Sequence, residues 1–248
     1  MMTDYRSYEM SSRERVIFFL SLTVMIAACG LLYYQSLLAV AVIPFIYKRT
    51  EAFASRILGE RRRKLLRLQF RDLLYCLSAS FATGRHMTEA MEEASQTLEG
   101  IYGKESMAVA ELDHMGARIR ETGVADVTVW SDFAERSGID DISDFADVFM
   151  ACRETGGNLV SAVNKAASVI GEKISVETDI KAIVSQKKYE GLIISLMPAV
   201  VILFLRIMSA DYLDIMYSTM AGRILMTAAL AGTIAAGIAI ERITSIEI

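Results

Sequence analysis

Residue types that carry chemistry are present in this chain but do not converge. Glu92–Glu93 and Asp140–Asp141 are adjacent carboxylate pairs. General acid–base work needs both groups aimed at one substrate. Neighbours on a helix point about 100° apart, so each pair reads as a solvated face or a helix cap. His86 and His114 lack a second ligand at metal spacing, and no HExxH occurs. Gly100-Ile101-Tyr102-Gly103-Lys104-Glu105 comes nearest to a phosphate loop. It lacks both the spacing and the hydroxyl after lysine that a phosphate cradle requires. Cys29, Cys76 and Cys152 lie far apart without a CxxC pair and read as buried thiols. No Ser-His-Asp or Cys-His arrangement is present. The reading is therefore no enzyme, with no catalytic, cofactor-binding or metal residue and no cofactor.

The strongest functional signal is a pair of turns. Residues 147–173 read as a helix end, a turn at Gly156-Gly157 and a new helix capped by Asn158. A shorter echo lies upstream. With Thr83 set on Thr155, Gly84 falls on Gly156, Met87 on Leu159, Met91 on Val163 and Ala94 on Ala166. A left-handed turn explains Gly84 and Gly156. It explains Gly157 less well. Arg153 and Glu154 are charges suited to a partner. Arg153, Glu154, Gly156, Gly157, Asn158 and Gly84 are thus candidate partner contacts. So are Arg61, Arg62 and Arg63, which together with Lys64 and Arg67 form a basic run that fits anionic lipid or an acidic protein.

These turns need a scaffold, and composition says what kind. The chain has 248 residues, 53% hydrophobic yet 23% charged, which fits a membrane protein with a polar domain. A net charge of -4 gives no case for nucleic acid. Residues 16–47 run almost without charge. As one helix they would reach about 48 Å against a bilayer core of roughly 30 Å. Two spans turning near residues 33–36 fit better, and basic residues on both flanks place both ends in the cytoplasm. Ile26-Ala27-Ala28-Cys29-Gly30 resembles a lipoprotein cleavage box, but another apolar stretch follows it where a polar spacer belongs. A third span is expected at about 189–208 and a fourth at about 222–240, with Asp211 and Asp214 in the loop between. Arg206 is the only ionisable candidate within the spans, near an end, whereas ion-coupled carriers usually need intramembrane charge. Ala228, Gly232 and Ala236 repeat every four residues and suit close helix packing, most simply against the neighbouring span of the same chain. Pro198 should kink the third span.

The expected fold is all-α: four transmembrane helices in two hairpins flanking one cytoplasmic six-helix bundle. Its parts are a cytoplasmic tail at 1–15, hairpin 1 at 16–47, a basic connector at 48–64, the helical domain at 65–188, hairpin 2 at 189–240 and a cytoplasmic tail at 241–248. Within the domain, core stripes are expected from Leu66, Phe70, Leu73, Leu74 and Leu77, from Val129, Trp130, Phe133 and Ala134, and from Ile142, Phe145, Val148, Phe149 and Cys152. Asp126 and Asp140 or Asp141 are expected as helix caps. The second helix is expected to stop at Gly100.

Ser137-Gly138-Ile139-Asp140-Asp141-Ile142, Phe145-Ala146 and Glu154-Thr155-Gly156-Gly157-Asn158-Leu159 resemble the type II secretion system F domain. The order of span pair, helical domain and span pair is similar to the TadB/TadC platform proteins of tight-adherence (Flp) pili. The resemblance covers about 65–240. It implies a scaffold in the bacterial cytoplasmic membrane that couples a cytoplasmic ATPase to extraction and assembly of pilin subunits. The partners it implies are that ATPase, a second platform protein or another copy, pilins and lipid. The competing reading is a small multispan transporter or membrane enzyme with a ligand-binding cytoplasmic domain.

Overall fold

A computed structural model of the chain describes residues 5, 11–34 and 43–244. Among the described residues the protein is all-α. These residues form nine helices: α1 (Ser12–Tyr34), α2 (Ile43–Ala82), α3 (Met87–Tyr102), α4 (Met107–Thr122), α5 (Asp126–Ser137), α6 (Asp140–Thr155), α7 (Leu159–Met208), α8 (Ala210–Ser218) and α9 (Met220–Thr244). Three of them, α1, α7 and α9, are long and apolar enough to cross a membrane. Of the first hairpin's turn, expected near residues 33–36, Tyr33 and Tyr34 still belong to α1; its other half and residues 37–42 of the second span lie outside the described residues. The chain divides into two compact units. The described residues of 1–9 and 54–176 form one, and those of 10–53 and 177–248 the other.

The first unit is a helical body built on α2. Leu66, Phe70, Leu73, Leu74 and Leu77 recur at helical spacing and are all buried, as the sequence predicts. Phe70 meets Trp130, Phe133 and Phe145 with ring centroids 5.5–6.3 Å apart, and Trp130 lies 5.1 Å from Phe145. Edge-on aromatic contacts add about 0.5–1.5 kcal/mol per pair beyond burial, so this cluster pins α2, α5 and α6 together. Val148 departs from the expected stripe and is exposed, because Ile142, Phe145 and Phe149 already fill the buried face of α6.

Buried charges tie the same helices. Asp141 is not a solvated cap. It is buried and accepts from Arg67 and, at 2.6 Å, from Lys173, linking α6 to α2 and α7. Arg67 therefore belongs to this internal pair and leaves the basic run expected to face lipid. Glu111 is equally buried and takes a two-pronged contact from Arg136, at 3.0 and 2.7 Å. The Tyr5 hydroxyl also donates to Glu111 at 3.0 Å, and the Tyr5 backbone N–H donates to the Arg136 carbonyl at 3.0 Å. The Arg62 guanidinium stands 5.0 Å from the Tyr5 ring centroid, within cation–π range. Burial, then the Glu111 carboxylate, pushes the Tyr5 phenol above its ordinary range, so it stays a neutral donor.

Several helix ends differ from expectation for physical reasons. The extended cap positions before α5 and α6 are held by Ala125 and Ile139. Asp126 and Asp140 occupy the first turn instead, where the helix dipole favours negative charge. α3 runs through Gly100 to Tyr102, and the Tyr102 hydroxyl donates to Asp72 on α2. The polar connector and the first domain helix are one continuous α2.

In the second unit, Tyr33, Ile202, Leu213 and Met226 form the buried cluster. Carbonyls at the end of α1 lack intrahelical donors. Arg206 supplies one to Leu31 at 2.7 Å, and Tyr217 one to Leu32 at 2.7 Å. Residues 210–218, expected as a loop, form α8, so Asp214 is helical. α7 continues through Pro198 without a break in the helix.

Candidate functional site

The two turns singled out in the sequence share one geometry. At the end of α2 the Ser80 carbonyl accepts from the Thr83 and Arg85 backbone N–H groups, each at 3.2 Å, and from the Thr83 hydroxyl at 2.8 Å. At the end of α6 the Cys152 carbonyl accepts from Gly156 and, at 2.9 Å, from Gly157. There the Thr155 hydroxyl bonds back to Ala151 at 2.7 Å. Ser80 to Arg85 and Cys152 to Gly157 are the same six-residue closure, and it requires a left-handed residue inside it. Gly84 at φ 80° and Gly156 at φ 69° supply that residue. The next helix begins two residues later in both cases. The Asn158 side chain accepts from the Ser161 N–H at 3.1 Å, as a cap should. His86 precedes α3 at the equivalent place and donates its N–H to Glu89 at 3.4 Å.

The fold brings these two turns onto one open cleft of about 530 Å³ within the helical body. Its apolar lining comes from Phe81, Met87, Ile119, Val124 and Leu159, all packed against the core. Its polar rim is Arg85, His86, Asp126 and Arg153. Neither arginine is loose. Arg85 pairs with Glu93 at 3.1 Å, and Glu93 is itself held by the Ser80 hydroxyl at 2.6 Å. Arg153 pairs with Asp126 and lies 5.9 Å from the Phe149 ring centroid. Both arginine side chains remain 47% exposed. A guanidinium carries five donors, so each arginine keeps several for an incoming acceptor.

The expected contact residues thus separate into two places. Of the first group only Arg153 lines the cleft; Gly84 and Gly156 belong to the turns whose neighbours Arg85, His86 and Leu159 line it, and Glu154, Gly157 and Asn158 are exposed on the second turn without lining it. Arg61, Arg62 and Arg63 lie elsewhere on α2. Arg61 is exposed, and Arg62 is engaged by Tyr5. Gly157 needs no special backbone angle. A Cβ there would meet Cys152 and Thr155 at ordinary distances of 3.5–3.6 Å. In the second unit, Ala228, Gly232 and Ala236 are exposed, and α9 packs instead through Met226, Ala229 and Leu230. A Cβ on Gly232 would meet nothing within 4 Å. Arg85, His86, Asp126, Ile119 and Val124 were not foreseen at the site. Arg85 had a signal, since it stands at the Gly157 position of the echo. Ile119 and Val124 come from the α4–α5 corner and carry none. Among the described residues no group of three or more His, Cys, Asp or Glu side chains could hold a metal.

One helical body carrying two matched turns over a cleft, on a chain with apolar membrane-length helices, describes a membrane-anchored scaffold. The profile of the family "Type II secretion system (T2SS), protein F" matches residues 73–206, more than half of the chain. The chain belongs to that family. It is a multi-pass inner-membrane platform component of secretion or pilus-assembly machinery and not an enzyme. The matched stretch is narrower than the resemblance at 65–240, but it contains both turns and every residue lining the cleft. Neither curated proteins nor solved structures give a significant match.

Proposed function

We propose that this protein is a TadB/TadC-type platform of a tight-adherence pilus, and that the cleft between its two turns receives the cytoplasmic ATPase. The observation that carries the proposal is the convergence of both turns on one cleft, inside the segment that defines the family. An apolar floor rimmed by two half-paired guanidinium groups suits an apolar segment bearing carboxylates. The matched turns make the rim rigid, so load applied there passes into α3 and α7 rather than into a loop. α7 is one unbroken 50-residue helix whose later part is apolar enough to span a bilayer, which makes it the element that would carry such a load.

The membrane topology proposed is four spans in two hairpins, with both termini in the cytoplasm. Tyr5 supports this by parity. It is docked on the helical body, so the residues before α1 share the body's side of the membrane. The membrane-length α1 lies between them, and an even number of crossings then demands a return between Tyr34 and the body. The domain is proposed to occupy 65–188, between hairpins at 16–47 and 189–240. Ala228, Gly232 and Ala236 offer a close-packing face to a pilin helix or to a second platform subunit.

The test is Gly157→Phe. A bulky side chain would be added on the exposed second turn while the backbone angle stays ordinary. Membrane insertion and Trp130 burial should be unchanged, and copurification of the ATPase and piliation should be lost. Normal piliation would remove Gly157 and its turn from the contact.

A further inference from the structure

α7 and α9 come close where Gly191 meets Ile240. A Cβ on Gly191 would stand 3.0–3.1 Å from three Ile240 side-chain carbons. Beside that contact opens a second cleft, of about 410 Å³. Leu192, Gly237 and Ile240 form its apolar side, and Ser185, Lys188, Tyr189 and Glu241 stand around its mouth. The cleft straddles a chemical boundary on both helices. From Gly191 to Leu205, and from Ile224 to Ile240, no ionisable residue occurs, while Lys187, Lys188 and Glu190 precede the first run and Glu241 and Arg242 follow the second. That boundary is where a bilayer passes from acyl chains to headgroups.

The charges at the mouth are informative. Lys187 is held by Glu190 at 3.0 Å. Among the described residues the side chains of Lys188 and Glu241 have no partner, although they carry opposite charge and line the same cleft. A ligand that matches them must present an anion and a cation together, with an apolar tail behind. We infer that the α7–α9 cleft binds a phospholipid with a primary-amine headgroup, of the phosphatidylethanolamine class. Lys188 takes the phosphate, with the Ser185 and Tyr189 hydroxyls as further donors. Glu241 takes the ammonium, whose three N–H groups can reach a carboxylate. An acyl chain lies along Leu192 and Ile240, where Gly237 leaves room. A glycerol headgroup would satisfy Lys188 and leave Glu241 facing a phosphate. A choline headgroup has no N–H to donate.

This inference rests on the proposed topology only in needing Lys188 and Glu241 at one membrane surface. It is read on purified protein without ATPase or pilin, so its failure and that of the platform proposal are distinguishable. The experiment is native mass spectrometry of the full chain, released from detergent with equimolar phosphatidylethanolamine, phosphatidylglycerol and phosphatidylcholine. The wild type should carry about five-fold more ethanolamine lipid than choline lipid, as expected for the N–H hydrogen bond to Glu241 that choline cannot make, worth about 1 kcal/mol. Glu241→Gln should bring that ratio near one. Lys188→Gln should reduce all three adducts about five-fold, and Lys187→Gln should change none. Equal adducts in the wild type, or an ethanolamine preference that survives Glu241→Gln, would overturn the site. The wild-type result alone can do so, whatever the variants' folding.

Discussion

Gly156 and Gly157 are neighbours in sequence, and the structure assigns them opposite responses to the same change. Gly156 is left-handed, at φ 69° and ψ 24°. An L-residue there costs roughly 1–2 kcal/mol, offset in part by about 0.4–1 kcal/mol from a less flexible unfolded chain. Gly156→Ala should therefore destabilise the body by about 1 kcal/mol. At Gly157 the φ carries no such penalty, and the new methyl would touch Cys152 Sγ and Thr155 Oγ1 at 3.5 Å, an ordinary contact. Only the unfolded-state gain remains, so Gly157→Ala should be neutral or stabilising by up to about 1 kcal/mol. The chain offers a selective probe. Trp130 is its single tryptophan and is fully buried in the body's aromatic cluster, so its emission reports the body and not the membrane helices. Urea titration of the detergent-solubilised chain, followed at Trp130, should show the two midpoints displaced in opposite directions or only the Gly156→Ala midpoint lowered. Equal destabilisation by both, or a larger loss at Gly157, would refute the assignment of the left-handed position to Gly156 alone.

Other consequences can be read with the same probe or by titration. Asp141→Ala leaves the Arg67 guanidinium, only 16% exposed, without its carboxylate and frees Lys173. The loss should be on the order of 3 kcal/mol, and Asp141→Asn should lose less because it still accepts hydrogen bonds. An Asp141→Ala midpoint like the wild type would mean the pair is not formed. Tyr5 has a raised folded pKa, so its docking is fully present below the ordinary tyrosine value of 10.0 and is lost as pH rises through the higher folded value. The ultraviolet difference between wild type and Tyr5→Phe should show a tyrosinate appearing well above 10.0, and ionisation at the ordinary value would contradict docking of the tail. Removing that hydroxyl should cost about 1.5 kcal/mol, since it donates to a carboxylate.

Legibility in the sequence followed from how local each cause is. The stripe Leu66, Phe70, Leu73, Leu74 and Leu77 is a period of about 3.6, and periodicity is visible without a fold. The echo of Thr83-Gly84 in Thr155-Gly156 was legible because a six-residue closure is set by local backbone geometry. Arg67 was misassigned because adjacency to Arg61, Arg62 and Arg63 hid its position on the Leu66 and Phe70 face, where Asp141 meets it. Aspartate favours the cap position, which points from sequence to Asp126 and Asp140, yet Ala125 and Ile139 hold the extended angles and the acids gain from the helix dipole one step later. The cleft floor at Ile119 and Val124 needs α4 and α5 packed beside both turns, a tertiary fact without a local trace. Tyr5 lies in a polar tail that also holds Tyr8, and only the buried Glu111 marks it out.

The central claim is that the turn-lined cleft is where the motor meets the platform. Site-specific photocrosslinking in native membranes tests it most directly, with the crosslinker placed at Arg85, at Glu154 and, as a control, at exposed Glu99, eleven residues along α3 from the cleft residue Thr88 and so about 16 Å away. The account predicts an ATPase adduct from Arg85 and Glu154 and none from Glu99. Adducts from Glu99 alone, or capture of Arg85 and Glu154 by a reagent confined outside intact cells, would contradict it.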